Sequence, residues 1–186
     1  MNTPSHLIIN AAIHKKAGRT DIPRSAFLWG SIAPDIPLAL LSLGYFIYHH
    51  YIVTQLSTAE AGSTFDYLFF NNPGWIAFHN SLHSPLALLI YLAFLWRYRT
   101  QPGTRGNWWL WFVLGCIAHT SVDIPVHAAD GPLLFWPLDW HTRFHSPISY
   151  WDPAHFGRQF AIFELALDVI LLGYLFLPKL LARFKK

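Results

Sequence analysis

Three residues with metal-ligating side chains recur every four positions near the end of an apolar stretch. His119, Asp123 and His127 have the spacing i, i+4 and i+8, which places them on one face of an α-helix. His79 and His83 have the same spacing in an earlier segment. Imidazole and carboxylate groups are ligands that zinc prefers, and a pair at i and i+4 can chelate one ion. The pattern predicts a metal site that holds one to three zinc ions, with other divalent metals as alternatives.

Four further ionisable residues lie inside apolar segments, where such groups are costly and usually functional. They are His6, Asp35, Glu164 and Asp168. Counted at about 1.5 Å per residue from the basic segment ends, these groups and those above fall into the outer half of a bilayer, with His79 and His127 highest, close to the outer face. Asp35 is a candidate general base if it is not coordinated, with the N-cap of a half-helix as its alternative role. Glu164 and Asp168 are candidates for one of two roles: they orient ligating histidines without touching the metal, or they are ligands themselves.

The composition is typical of a membrane protein. Apolar residues make up 53% of the chain and charged residues 12%, with a mean hydropathy of +0.29, whereas about 25% of an average soluble domain is charged. Four apolar segments approach or exceed the ~17–25 residues of a spanning helix. They cover residues 24–53, 83–98, 108–127 and 156–177. The sequence therefore predicts an all-α integral membrane bundle with about four spans, formed by a single domain over residues 1–186.

Shorter elements complete this prediction. Residues 3–17 are expected to form a short N-terminal helix, and a Pro-Asp-Ile-Pro sequence is expected to break or kink the first span. Residues 54–72 are predicted to be a polar loop. Residues 129–157 contain four prolines, so we expect a loop with room for a small hairpin. Within that loop His141 and His145 repeat the spacing of the earlier histidine pair, as a second ligand pair or as part of a histidine-rich turn.

Basic residues cluster at the segment ends on one predicted side of the membrane. They are Lys15, Lys16, Arg19, Arg24, Arg97, Arg99, Arg105, Lys179, Arg183, Lys185 and Lys186. By the positive-inside rule, both termini then face the cytoplasm, as in a multi-pass protein of the bacterial inner membrane. The modest formal charge of +3, distributed in this way, argues against nucleic-acid binding. The membrane lipids are the expected partner, and the oligomeric state is left open.

Five short motifs, in this order along the chain, resemble a known family. They are Thr3-Pro-Ser-His6, Ala33-Pro34-Asp35, His79-x3-His83-Ser84, Gly115-x3-His119-x3-Asp123 and Gly131-Pro-Leu-Leu-Phe-Trp136-Pro137. Together they resemble the bacterial inner-membrane metal-dependent hydrolases described as LexA-regulated, and more distantly zinc-dependent phospholipase C. The resemblance covers nearly the whole chain, although each motif alone is short.

The resemblance implies an all-helical bundle with a zinc cluster and a Pro-Asp carboxylate, here Asp35, as the candidate catalytic base. The ligands that it implies are His6, one or both of His79 and His83, His119, Asp123 and, as a further candidate, His127. This sequence departs from phospholipase C in two ways. His127 follows Asp123 sooner, and the later His-x3-Glu pair of the phospholipase site is absent, so a third ion lacks its matching ligands.

The leading functional hypothesis is a hydrolase in which metal-activated water attacks an ester or phosphoester, with a lipid as the candidate substrate. The alternative is a non-catalytic metal protein, either a transporter or a bundle with a structural ion. A transporter would need polar groups on both sides of the site, and the cytoplasmic half of the predicted spans is nearly free of them. A structural site would leave no coordination position open for water.

Overall fold

The computed structural model describes residues 1–52 and 58–183, and helices dominate both ranges. The α-helices are α1 (Thr3–Ala17), α2 (Arg24–Gly30), α3 (Asp35–Tyr51), α4 (Thr58–Asn71), α5 (Pro73–Asn80), α6 (Pro85–Leu95), α7 (Arg105–Asp123) and α8 (Gly157–Arg183). Short 3₁₀ turns cover Trp96–Thr100, Ile124–Val126 and Pro153–His155. No β-strand occurs in the described ranges, so the all-α prediction is confirmed there. Residues 53–57, predicted to end the first span and begin a loop, and the tail residues Lys185 and Lys186 lie outside the description.

Two helical stretches are each long and apolar enough to cross a membrane, Arg105–Val126 and Gly157–Pro178. Two further candidates are bent pairs, in which α2 and α3 meet at 48° and α5 and α6 meet at 49°. The described residues therefore contain two candidate spans, or up to four if each bent pair forms one. The upper value agrees with the predicted number, while insertion into a membrane stays a prediction.

Prolines determine where the two bent pairs break. Pro34 directly precedes α3 and Pro37 lies in its first turn. N–H groups in the first turn of a helix have no acceptor within the helix, so proline, which lacks this group, is tolerated there. Pro85 begins α6 in the same way. The first break was expected from the sequence. The second shows that the segment predicted over residues 83–98 begins earlier, at α5, and is interrupted before Pro85.

Helix α7 lies at the centre of the bundle and packs against α1, α2 and α6. It crosses α2 at two glycines so closely that there is no room for a side chain. A Cβ atom on Gly115 would lie 2.4 Å from the backbone oxygen of Phe27, and one on Gly30 would lie 2.2 Å from that of Phe112. The core around this crossing consists of Ala26, Ala33, Leu88, Phe112, Val113 and Cys116.

Helix α1 runs parallel to α8 and presents polar side chains to its neighbours. Near its start, the Ser5 hydroxyl donates to Asp168 at 2.7 Å. Near its end, Lys15 donates to the backbone oxygen of Leu175 at 3.1 Å. Between them, the buried Asn10 amide donates to backbone oxygens of α2 and α7. These bonds fix the rotation of α1 and so the direction in which its remaining side chains point.

The predicted loop over residues 54–72 is wrong for its described part, most of which forms α4. Aromatic packing accounts for this helix. The Phe65 ring lies 5.5 Å from the rings of both Tyr45 and Trp75, and the Tyr45 hydroxyl donates to the backbone oxygen of Ala61 at 2.5 Å. Tertiary contacts of this kind override the weak helix propensity of the Gly, Ser and Thr residues in the segment.

The predicted hairpin in residues 129–157 is reduced to one isolated antiparallel bridge, between Leu133 and Arg143. Leu133 is buried, and its N–H group donates to the side chain of Asn80 at 2.8 Å. The four prolines of the segment carry no backbone N–H group and so prevent a longer ladder. The segment is held instead by the Asn80 side chain of α5, by the Ser84 hydroxyl and by a backbone bond from Leu86 N–H to the Leu134 oxygen.

We expect the substitution Gly115→Ala to destabilise the protein by about 1–3 kcal/mol, because the new methyl group overlaps the Phe27 carbonyl and forces α2 and α7 apart. Gly44→Ala is the matched control, since a Cβ atom on that helical glycine meets open space. Thermal unfolding of both variants in detergent, followed by circular dichroism, measures the difference. Equal unfolding temperatures for the two variants would contradict the close crossing.

Candidate metal centre

The carboxylate of Asp123, at the C-terminal end of α7, lies at the centre of a cluster of histidines. Its Oδ1 atom is 2.9 Å from His6 Nε2, and its Oδ2 atom is 3.0 Å from His83 Nε2 and 3.3 Å from His119 Nε2. The Asp123 side chain is only 2% exposed. Three imidazoles from separate parts of the chain therefore surround one buried carboxylate.

The orientation of His119 is set by the end of α2. Its Nδ1 atom donates to the backbone oxygen of Ser31 at 2.8 Å, which assigns the proton of a neutral ring to Nδ1 and leaves a lone pair on Nε2. That Nε2 atom faces His83 Nε2 at 3.2 Å and Asp35 Oδ1 at 3.4 Å. A histidine whose other nitrogen donates to a carbonyl is the usual arrangement for a metal ligand.

The donor atoms of this cluster fit a divalent cation. One ligand atom each from Asp35, His83, His119 and Asp123 lies within 4.8 Å of the others. The Nε2 atoms of His83 and His119 face each other at 3.2 Å and both lie beside the Asp123 carboxylate, so a cation between them can bind both nitrogens and a carboxylate oxygen. Nitrogen and carboxylate oxygen donors suit zinc. His83, His119 and Asp123, with His6 stacked 3.7 Å from the His119 ring, are the residues that would hold the metal, and Asp35 lies within reach of it.

Asp35 occupies the first position of α3 and is oriented by α1. Its Oδ2 atom accepts a hydrogen bond from the Thr3 hydroxyl at 2.5 Å, while Oδ1 faces His119. The side chain is 25% exposed, in contrast to the buried Asp123. The N-cap residue of α3 is Pro34 and no side chain caps the helix, so the alternative N-cap role is wrong. The position suits either a ligand or a base beside the metal.

His127 is not on the helix face that its spacing suggested. Helix α7 ends at Asp123, because Pro125 cannot continue it, and a 3₁₀ turn follows. The His127 ring folds back so that Nδ1 bonds the backbone oxygen of Asp123 at 2.9 Å, and Nδ1 is 4.0 Å from Asp123 Oδ1. His127 therefore lies beside the cluster rather than in line with His119.

His79 also lies beside the cluster. It is buried at the end of α5, with its ring 4.8 Å from the ring of His83. Because α5 ends at Asn80 and α6 begins at Pro85, the two histidines are not on one continuous helix. His83, in the break, reaches Asp123, whereas His79 lines the adjoining cavity.

Glu164 and Asp168 contact α1 instead of a histidine. Glu164 accepts hydrogen bonds from the backbone and side-chain nitrogens of Asn2 at 2.8 and 2.7 Å, and Asp168 accepts from Ser5. Both carboxylates thus hold the first turn of the helix that carries His6. Their effect on the cluster is indirect, through the position of that helix.

Three contributors to the centre could not be recognised in the sequence. The Met1 amine lies 2.8 Å from Asp123 Oδ1, the Thr3 hydroxyl bonds Asp35, and the Ser31 carbonyl orients His119. Two of these groups belong to the backbone, which carries no sequence signal. Thr3 is a common residue at a helix start, so its type alone indicates nothing about a carboxylate 32 positions away.

The cluster borders a cavity of about 550 Å³. One wall is aromatic and comes from α4, with Phe65, Phe69 and Phe70. The Arg143 guanidinium lies 5.2 and 5.3 Å from the rings of Phe69 and Phe70 and so joins this wall to the 129–157 segment. Tyr150 of the same segment also lines the cavity, and burial raises its pKa to about 12, so its phenol is protonated at neutral pH.

A buried set of imidazoles and carboxylates within an all-helical chain defines a candidate metal-dependent hydrolase. Residues 5–186 match the family described as zinc-dependent phospholipase C. Because the match covers nearly the whole chain, the protein belongs to this family, and the predicted similarity to it is confirmed. No curated protein and no solved structure gives a significant match. Family membership and the donor set together fit zinc as the metal and hydrolysis as the reaction.

We expect protein purified in detergent without chelators to contain at least one zinc ion per chain, measured by elemental mass spectrometry. His119→Ala and Asp123→Asn are each expected to lose most of it, because each removes a donor from the centre of the cluster. His145→Ala is the control, since that exposed histidine lies outside the cluster. Equal zinc content in all four proteins, or none in the wild type, would rule out the assigned centre.

Proposed function

We propose that this protein is a membrane-bound zinc-dependent hydrolase that cleaves an ester or phosphoester bond of a lipid. The observation that carries the proposal is the position of the metal centre at the wall of a large cavity. His83 and Asp123 line that cavity together with Asp35, so a metal held by the two ligands can reach a substrate beside the Asp35 carboxylate. A purely structural site would be enclosed by its ligands.

Zinc bound in this centre would polarise the scissile group and lower the pKa of an attacking water. The residues of the chain supply the remaining functions. Asp35, partly exposed to the cavity and oriented by Thr3, is placed to accept a proton from that water. His119 is held in one tautomer by the Ser31 carbonyl. The aromatic wall of α4 accommodates an apolar part of the substrate and excludes solvent.

A membrane location is supported by the surface of α8. Large apolar side chains are exposed along this helix, among them Ile162, Phe163, Leu165, Val169, Ile170 and Phe176. An exposed apolar surface of this size indicates a partner or a bilayer, and the backbone of a helix is satisfied internally, as lipid requires. The order of motifs further supports placement among the LexA-regulated inner-membrane hydrolases of bacteria. With the loop before α7 in the cytoplasm, the C-terminal end of α8 lies on the same side. The prediction that the N-terminus also faces the cytoplasm does not fit this bundle, because α1 brings Met1 to Asp123 at the opposite end of α7.

We expect the loop before α7 to face the cytoplasm and the 129–157 segment to face the opposite side. Single-cysteine reporters test this, because the one native cysteine, Cys116, is buried. In intact cells, a membrane-impermeant maleimide should label His145→Cys and leave Gln101→Cys unlabelled until the membrane is permeabilised. Both positions are exposed, so labelling of both in intact cells, or of neither after permeabilisation, would contradict the topology.

We expect Asp35→Asn to lower kcat for hydrolysis of a short-chain phospholipid by about 10²–10⁴-fold, because the amide cannot accept the proton of water. Zinc content, measured in parallel, distinguishes the two roles of Asp35. If Asp35 is the base, the variant keeps its zinc, and if it is a ligand, the variant loses zinc. Asp66→Asn is the matched control, an aspartate that lines the same cavity on α4, and it should retain activity within a few fold. Equal activity of both variants would remove Asp35 from the mechanism.

A further inference from the structure

A histidine–carboxylate pair lies in the cavity wall formed by the 129–157 segment. The Nδ1 atom of His155 is 2.7 Å from Asp152 Oδ2, and both residues line the cavity that the metal centre borders. With Nδ1 engaged by the carboxylate, the Nε2 atom is the one available to a substrate. The ring is 47% exposed, so it can exchange protons with solvent.

The turn that carries this pair is built tightly. The other Asp152 oxygen accepts a hydrogen bond from the N–H group of Ala154 at 2.9 Å, and the Asp152 carbonyl accepts from His155 and Gly157 at 3.0 and 2.9 Å. The carbonyl of His155 in turn accepts from the N–H group of Ser149 at 2.8 Å. The direction of the imidazole is therefore determined by the backbone on both sides.

Two backbone features show that this turn is closely packed and has an uncommon backbone conformation. Phe156 has φ of 62° and is the one non-glycine residue with positive φ in the described ranges. A Cβ atom on Gly157 would lie only 2.7 Å from the Asp152 carbonyl oxygen. Non-glycine residues in the left-handed region persist where surrounding structure enforces them, and they are concentrated at functional sites.

The electrostatics of the pair suit proton transfer. Hydrogen bonding from His155 lowers the pKa of the Asp152 carboxyl group, so the carboxylate stays charged and accepts the proton on His155 Nδ1. This is the arrangement in which a carboxylate orients a histidine for general acid–base catalysis. A substrate in the cavity would have the metal centre on one side and His155 Nε2 on another.

We propose that His155, oriented by Asp152, is the general acid that protonates the leaving group, an inference that rests on the hydrolysis proposed above. Water adds to the scissile centre and its proton passes to Asp35. The bond to the leaving oxygen breaks, and that oxygen keeps the bonding electron pair and takes the proton from Nε2 of His155. The neutral imidazole then regains a proton from solvent, and Asp35 releases to solvent the proton that it took from water.

Leaving-group dependence tests this role directly. An alkyl leaving group such as a diacylglycerol needs protonation, whereas 4-nitrophenolate is stable without it. We expect His155→Gln to lower kcat for a short-chain phospholipid by about 10²–10⁴-fold and to change kcat for a 4-nitrophenyl phosphodiester with the same head group by less than about tenfold. Zinc content and unfolding temperature should match the wild type.

Two further variants complete the experiment. Asp152→Asn keeps an oxygen for the Ala154 N–H group but cannot accept from His155 at the other position, so it should show the same selectivity between substrates. His145→Gln, an exposed histidine of the same segment that does not line the cavity, should behave as the wild type. An equal loss on both substrates, or no loss, in His155→Gln would overturn the general-acid role. If the zinc-loaded wild type hydrolysed neither substrate, the proposed function would fall, and this role with it.

Discussion

The buried carboxylate of Asp123 is the constraint on which the rest of the centre depends. A carboxylate that is 2% exposed loses the hydration that stabilises its charge, and this loss must be compensated by partners within the protein. The partners here are imidazole nitrogens from α1, from the break between α5 and α6, and from α7 itself. Because they come from separate elements, the bundle must bring three parts of the chain to one point. The polar side chains of α1 and their bonds to α8 serve this convergence.

The interruptions of the two bent helix pairs lie at the level of the centre. Where α2 ends, the carbonyl of Ser31 is free of helical bonding and accepts the Nδ1 proton of His119. Asp35 begins the next helix, and His83 lies in the second break. Non-helical backbone inside a membrane protein is tolerated where it bonds to side chains or lines a cavity. The breaks therefore supply both backbone and side-chain groups that a continuous helix could not present.

The cavity combines two kinds of surface. Its inner wall consists of imidazoles and carboxylates, and the α4 wall consists of aromatic rings. Arg143 fastens these rings to the segment that also carries Tyr150 and the Asp152–His155 pair. A molecule with a polar scissile group and an apolar body matches both surfaces at once. The 129–157 segment is thus more than a connection between α7 and α8, since it forms part of the wall of the cavity that the metal centre borders.

Much of the centre follows from local spacing. His119 and Asp123 lie on one helix, so the 3.6-residue period alone brings both towards the same point. The same reasoning fails for His127, because Pro125 follows the end of α7, and for the pair His79 and His83, because a break separates them. It also fails for α4, where packing of Phe65 against two aromatic rings outweighs a polar composition.

The sequence by itself determined the helical class, the apolar segments and the residue types from which a metal centre could be built. The tertiary structure alone decided which of them meet. His6 and Asp123 are 117 positions apart, and His119 and Ser31 are 88 apart, so no local period relates them. Their meeting depends on how closely helices pack, above all where Gly30 and Gly115 let α2 and α7 touch. Periodicity describes one helix at a time, whereas the distance between two helices depends on the side chains of both.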